Sequence, residues 1–308
     1  MTAEVRPAVV AVGGGHGLAA TLRAARRYAG TLTAVVSVAD DGGSSGRLRA
    51  AMPDLPAPGD VRRCLSALAD ERSALARILE HRFAEESGDL EGHALGNLLL
   101  AELSSELGSF PDAVDEVARL VDAVGRVLPA TVGPVSLVGR RAPSTEAGAG
   151  AEATVLGQVA VQNTAGLARL SLAPAIPESP AAVGEAIRAA DQVLLGPGSL
   201  FTSVLAAAIV PAVHDALRET EAQRVYLANL RPQVPETEGF ELDDHLAVLA
   251  DHGVPVDVVV CQVGQCSAGR SAVLPAAAVV EAAVADDRGA THDPERLAAT
   301  LVSLLRSP

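Results

Sequence analysis

The sequence has 308 residues, a formal charge of −14 at pH 7, 49% apolar residues and 20% charged ones. That length supports one large α/β core, the charge argues against nucleic-acid or anionic-membrane partners, and no apolar run is long enough to insert in a bilayer. Lysine is absent, which removes Schiff-base chemistry and a Walker-type loop and leaves arginine, backbone N–H groups, hydroxyls or a metal to hold any phosphate.

The opening residues Met1–Pro7 lack a basic stretch followed by an apolar run, so a cytoplasmic location is expected. Cys64, Cys261 and Cys266 are odd in number and show no Cys-x-x-Cys spacing, which predicts buried thiols rather than a disulfide framework or zinc site.

Val9–Val12 is a continuous apolar run ending in Gly13, Gly14, Gly15, His16 and Gly17, and an apolar-periodic segment restarts at Leu18. This reads as strand, phosphate loop and helix, because glycines admit close approach of a ligand and a helix start offers free N–H groups to an anion. Arg23, Arg26 and Arg27 fall on the polar side of that helix and read as a solvated face. Leu32–Val38 is a second buried strand, completing a parallel strand-helix-strand unit.

The second strand ends in Asp40, Asp41, Gly42, Gly43, Ser44, Ser45, Gly46 and Arg47. Carboxylates at the carboxyl end of a strand, followed by glycines, hydroxyls and an arginine, can hold a ribose or Mg²⁺ beside phosphate oxygens; Asp41 is the candidate metal ligand. A dinucleotide fingerprint fits less well, because Leu18 stands where its third glycine belongs, and NAD is a minor alternative. Asp60 reads either as the N-cap of the next helix or as a ligand contact, and Arg62 as an anion contact or an exposed cation. His93 and Asn97 are four apart on an otherwise apolar helical stretch and need partners, among them a ligand.

The region about 127–173 has the alternation of short strands and predicts an antiparallel appendage on the main sheet, with Gln162–Gly166 as a hairpin connection. The stretch from Arg141 to Ala153, rich in Ala, Gly, Ser and Glu, predicts a mobile loop. Ser179–Ala190 is a helix capped by Ser179, and Gln192–Leu195 a buried parallel strand. Gly196, Gly198, Ser199, Thr202 and Ser203 then repeat the opening arrangement and predict a second phosphate cradle. A later strand ends at Asn229, Glu241–His252 is a helix, Val256–Val263 a strand and Asp293–Leu304 a closing helix. The expected fold is thus one Rossmann-like α/β domain over 1–308, a mostly parallel sheet with helices on both faces and a small inserted antiparallel strand region.

Four of these stretches, Gly13–Leu18, Val38–Arg49, Pro58–Arg62 and Gly92–Leu98, together with Ala190–Ser203 and Tyr226–Leu230, resemble the motifs of the YvcK-like gluconeogenesis factors, relatives of 2-phospho-L-lactate transferase. The resemblance implies a cytoplasmic factor needed for gluconeogenic growth and for cell shape and envelope synthesis, with a UDP-sugar such as UDP-N-acetylglucosamine as ligand. It places the diphosphate on Gly14, Gly15, Gly17, Gly198 and Ser199, and ribose, base or sugar on Asp40 or Asp41 and Asn229. The competing expectation is a Mg²⁺-dependent transferase in which Asp40 or Asp41 is catalytic and Arg62 offsets phosphate charge; the 2% aromatic content disfavours a flat deazaflavin acceptor. Two departures stand out: His16 replaces a common threonine, and Thr291, before the His292-Asp293 pair, replaces an arginine. The chain's expected partner is therefore a small nucleotide ligand, and a homo-dimer stays open.

Overall fold

The computed structural model describes residues 6–70, 72–141, 154–266, 269–271 and 273–305. Strand β1 (Ala8–Gly13) is buried from Val9 onward because parallel strands flank it on both sides. It ends where Gly13 and Gly15 take φ angles of +153° and +68°, turns that a side chain would strain. Helix α1 (Gly15–Ala25) follows and buries Leu18, Leu22 and Ala25, as the periodicity requires. Strand β2 (Thr31–Val36) pairs with β1 in parallel.

The polar segment after β2 is a helix start rather than a loop. Helix α2 spans Gly43–Ala51 with Gly42 as its N-cap, a helix that propensity hides because glycine and serine are weak helix formers. Helices α3 (Gly59–Leu68) and α4 (Ala74–Leu79), a 3₁₀ turn at Glu85–Leu90, α5 (Leu95–Leu107) and α6 (Phe110–Leu120) come next.

Strand β3 (Arg126–Pro129) pairs in parallel with β2, so it belongs to the main sheet and not to the insert. The insert consists of β4 (Ser136–Arg141), β5 (Thr154–Leu156), α7 (Gln158–Gln162) and β6 (Leu167–Ala173). Its strands form a separate antiparallel sheet ordered β5-β4-β6. Because β5 and β6 both pair with β4, Gln162–Gly166 is the exit from α7 and not a hairpin turn. The mobile loop expected over 141–153 lies, apart from Arg141, outside the described residues.

Helix α8 (Ala181–Arg188) has Pro180 at its N-cap. The expected cap, Ser179, instead donates its hydroxyl to the Ala130 carbonyl at 2.7 Å and ties the helix entry to the end of β3. Strand β7 (Gln192–Leu195) leads through a π-helical turn (Leu200–Leu205) to α9 (Ala206–Ala208) and α10 (Pro211–Glu219). Then come β8 (Gln223–Leu227), α11 (Leu242–Asp251), β9 (Val258–Gln262), β10 (Gly269–Arg270), β11 (Ala278–Ala282) and α12 (Pro294–Leu305). Cys261 and Cys266 are paired as a disulfide across the turn after β9, with Cα atoms 6.5 Å apart. The expectation of three thiols therefore holds for the buried Cys64 alone; the other two meet because that turn folds the chain back, which spacing does not announce.

The main sheet is ordered β10-β11-β9-β8-β7-β1-β2-β3, parallel except for β10. Sequence order reverses between β1 and β7, and at such a switch point the strand ends leave an open crevice. Helix α1 packs on α3 and α12, and α8 on α10. Buried side chains run without a break from Val9 to Leu304 and include Leu137, Leu170 and Leu172 of the insert. Among the described residues no single helix is long and apolar enough to cross a membrane.

Candidate functional site

The turns leaving β1, β2 and β7 meet at the switch point around a cavity of about 440 Å³. From the first come Gly14, Gly15, His16 and Gly17; from the second Asp40, Gly43, Ser44 and Ser45; from the third Gly198, Ser199 and Thr202. Helix α3 adds Asp60, Arg62 and Arg63, and α5 adds Asn97. Five sequence motifs far apart in the chain thus share one wall. Among the other expected site residues, Asp41 and Arg47 line a shallow depression on the outer side of α2, and Asn229 lines two further cavities. Gly196, with φ +80°, and His93 are buried behind the wall.

Two glycines bring the turns this close. A Cβ on Gly17 would lie 2.1 Å from the Pro197 carbonyl oxygen, so only glycine lets the β1 and β7 turns touch. A Cβ on Gly59 would lie 2.7 Å from Ser45 Oγ and 3.0 Å from Asp40 Oδ2, which holds the start of α3 against the β2 turn.

Asp60 is not an N-cap. Its carboxylate accepts from Arg63 Nη1 at 2.6 Å and from the Gly15 N–H at the start of α1. Burial pushes its pKa up, Arg63 opposes that, and the Asp40 charge adds to it. Asp40 accepts from the Gly42 N–H at 2.9 Å, at the start of α2. Asp41 points elsewhere: its two oxygens accept, at 2.9 Å each, from the Gln158 and Val159 N–H groups, so it caps α7 of the insert.

The β7 turn also differs from a vacant cradle. Glu236, 1% exposed, accepts from the Ser199 hydroxyl, from the Phe201 N–H at 2.7 Å and from the Thr202 N–H at 3.2 Å. Burial raises its pKa against those bonds. Asn229 clamps the same turn, accepting from the Gly198 N–H at 2.9 Å and donating to the Gly198 carbonyl at 2.8 Å. Ser199, Thr202 and Asn229, expected as ligand contacts, therefore already have protein partners that fix the turn's shape.

Arg62 is 1% exposed and donates to Glu80 at 3.2 Å and Asn97 Oδ1 at 3.1 Å. Ser44 Oγ lies 3.0 Å from His93 Nδ1 and accepts from Asn97 Nδ2 at 3.0 Å, so His93 and Asn97 are joined through the β2 turn although His93 precedes α5. Arg47 donates to the Glu91 carbonyl.

The residues that sequence reasoning passed over include Arg63, Arg82 and the insert's Gln158, Val159 and Gln162, all on the cavity wall with Gln233, which the sequence places at the ligand edge. Among the described residues Arg63 Nε and Gln233 Oε1 are buried without a hydrogen-bond partner, one needing an acceptor and the other a donor. Both stand, with His16, between this cavity and a second of about 620 Å³ that reaches Thr291 and His292. His16 is exposed at the rim, and desolvation by the surrounding wall followed by the charge of Arg63 lowers its pKa. No motif marks Gln158, since only folding brings it to Asp41.

The strand order and the crevice define an α/β protein of the Rossmann-like kind with a polar ligand cleft at its switch point. The chain belongs to the 2-phospho-L-lactate transferase CofD family, which it matches over residues 9–302. It is 44% identical over 307 residues to a provisionally named gluconeogenesis factor of Mycobacterium tuberculosis, covering 95% of this chain and 89% of that one. It is 39% identical over 256 residues to the gluconeogenesis factor of Halalkalibacterium halodurans, covering 82% and 76%. The crystal structure of a UPF0052 family protein from Bacillus halodurans superposes with a TM-score of 0.86 at 32% identity, covering 97% of this chain and all of that one.

Proposed function

We propose that the protein is a cytoplasmic factor that binds a nucleotide sugar, such as UDP-N-acetylglucosamine, in this cleft and serves gluconeogenic growth and cell-shape control. The observation that carries the reading is the convergence of the β1 and β7 glycine turns with the guanidinium of Arg63 on one cavity wall. A guanidinium binds phosphate oxygen through charge-assisted hydrogen bonds, as Arg63 already binds the Asp60 carboxylate. His16, Gln233 and the adjoining cavity give length for a ligand that continues beyond its phosphates. The names of the relatives support the regulatory side of the reading.

Mg²⁺ is the cofactor that the family implies, and the donor set fits it in one form only. Among the described residues no three or more His, Cys, Asp or Glu gather into a cage. Asp40 and Asp60, like-charged on one wall, match a cation held by one or two carboxylates plus ligand phosphate. Bound there, Mg²⁺ would neutralise phosphate charge. The same pair favours the second reading, a transferase in which Asp40 or Asp60 orients an acceptor hydroxyl.

Calorimetric titration with UDP-N-acetylglucosamine, with and without Mg²⁺, paired with an assay for released nucleotide, separates the two. Saturable binding without release supports the factor. Release on adding an acceptor supports the transferase, and no binding to the wild type overturns the nucleotide-sugar reading.

A further inference from the structure

The insert supplies a wall of the cleft that none of the sequence motifs accounts for. Its short helix α7 is held over the cavity by Asp41, whose carboxylate takes the first two N–H groups of the helix. Gly157, just before it, has φ +96°, and a Cβ there would lie 2.2 Å from Asp41 Oδ2. This contact is built for close approach, and it joins the β2 turn, which carries Asp40, to the insert, which carries Gln158, Val159 and Gln162.

Resting on the nucleotide-sugar reading, we infer that Gln158 and Gln162 are the specificity residues for the non-nucleotide end of the ligand, and that this end is an uncharged, hydroxylated ring. Gln158 Nε2 donates to Gln162 Oε1 at 2.9 Å, which orients the two amides as a pair. That bond uses a donor of Gln158 and the acceptor of Gln162, leaving an acceptor on the first and donors on the second. Adjacent hydroxyls of a sugar present the complementary donor and acceptor. A neutral pair also adds no charge to a wall that already holds Asp40 and Asp60. The other α7 contribution is the aliphatic Val159, and among the described residues no Phe, Tyr or Trp lines the cavity, so the α7 side offers a large flat heterocycle no stacking surface. Asp41 acts through α7 and is a positioning residue.

The test compares UDP with UDP-N-acetylglucosamine on the intact chain and on Gln158→Leu, Gln162→Leu and Asp41→Ala, with melting curves to establish that each variant folds. The wild type is expected to bind the nucleotide sugar more tightly than UDP. Each glutamine variant should lose about tenfold of that preference, the equivalent of one hydrogen bond, while its affinity for UDP is unchanged. Asp41→Ala should lose the preference in the same way, and Asp41→Asn, which keeps one acceptor oxygen, should recover part of it. A preference equal in wild type and glutamine variants overturns the inference and leaves the nucleotide reading standing. Failure of the wild type to bind either compound overturns both.

Discussion

Gly17→Ala tests the central claim that the β1 and β7 turns are pressed backbone to backbone. Gly17 has an ordinary helical conformation, so alanine brings no dihedral strain there; its methyl meets Pro197 O at 2.1 Å, Pro197 C at 2.6 Å and Gly198 N at 3.1 Å. Ordinary contact begins near 3.4 Å, so the turns must part by more than about 1 Å. The β7 turn is poorly placed to yield, because Thr21 Oγ1 donates to the Gly196 carbonyl at 2.6 Å and Asn229 holds both backbone groups of Gly198. The cost should reach the upper end of overpacking penalties, about 3 kcal/mol. Gly43→Ala is the control: nothing lies within 4 Å of its Cβ, but φ is +47°, so only left-handed strain of about 1–2 kcal/mol applies. Urea unfolding of both variants, read as midpoints at constant slope, gives the comparison. A Gly17→Ala midpoint at or above that of Gly43→Ala would refute the packing argument.

Other predictions concern buried charge. Burial raises the pKa of Asp60 and of Glu236 above their unfolded values, so the folded chain holds those protons more tightly and each contribution to stability falls as pH climbs through the folded pKa. Asp60→Asn and Glu236→Gln should therefore gain on the wild type as pH rises from about 4 to 7 in denaturant melts; a constant difference would contradict the shift. Arg62→Met leaves Asn97 Oδ1 without its donor, while Glu80, 42% exposed, can turn to water, so about 1–3 kcal/mol should be lost, and Arg62→Lys should not restore it because an ammonium cannot reproduce the fork. His16 should titrate below 6.5 by NMR, chiefly from desolvation by the cavity rim, and Arg63→Gln should move its midpoint upward; an unmoved midpoint would remove Arg63 as a cause.

The strands and glycine turns were legible because burial on both faces and close backbone approach leave few alternatives to Val, Ala and Gly. Asp40, Asp60 and Asn97, which the sequence places in glycine-containing motifs, line one cavity. Their partners were not legible, for a consistent reason. Asp41 and Gln158, Glu236 and Phe201, Asn229 and Gly198 are side-chain-to-backbone contacts made across 117, 35 and 31 residues, and nothing local in either segment records them. The strand β3 was assigned to the insert because a four-residue edge strand of a parallel sheet alternates no differently from one in a hairpin. Helix α2 was missed because its positions near the cleft are filled by glycine and serine for access rather than for helix propensity.

The carboxylates explain how a cleft made of helix starts can coexist with a strongly acidic chain. Three of the helix starts facing the cavity already carry one: Asp60 on the Gly15 N–H, Asp40 on the Gly42 N–H, and Glu236 on the Phe201 and Thr202 N–H groups. The dipole fields that would draw a phosphate are thereby largely answered from within. A diphosphate entering beside Asp40 and Asp60 meets two negative groups and the partly engaged Arg63, so its charge must be offset by something it brings. The affinity for UDP should therefore rise at least tenfold when Mg²⁺ is added, by analogy with close charge pairs worth about 1–3 kcal/mol, and Asp40→Asn should reduce that gain. Titrations at fixed ionic strength read this directly, because swapping Mg²⁺ for an equivalent of sodium chloride controls for screening. Equal affinity in both buffers would mean that Arg63 and the backbone alone balance the phosphates, and that Asp40 and Asp60 serve to shape the turns and not to receive a cation.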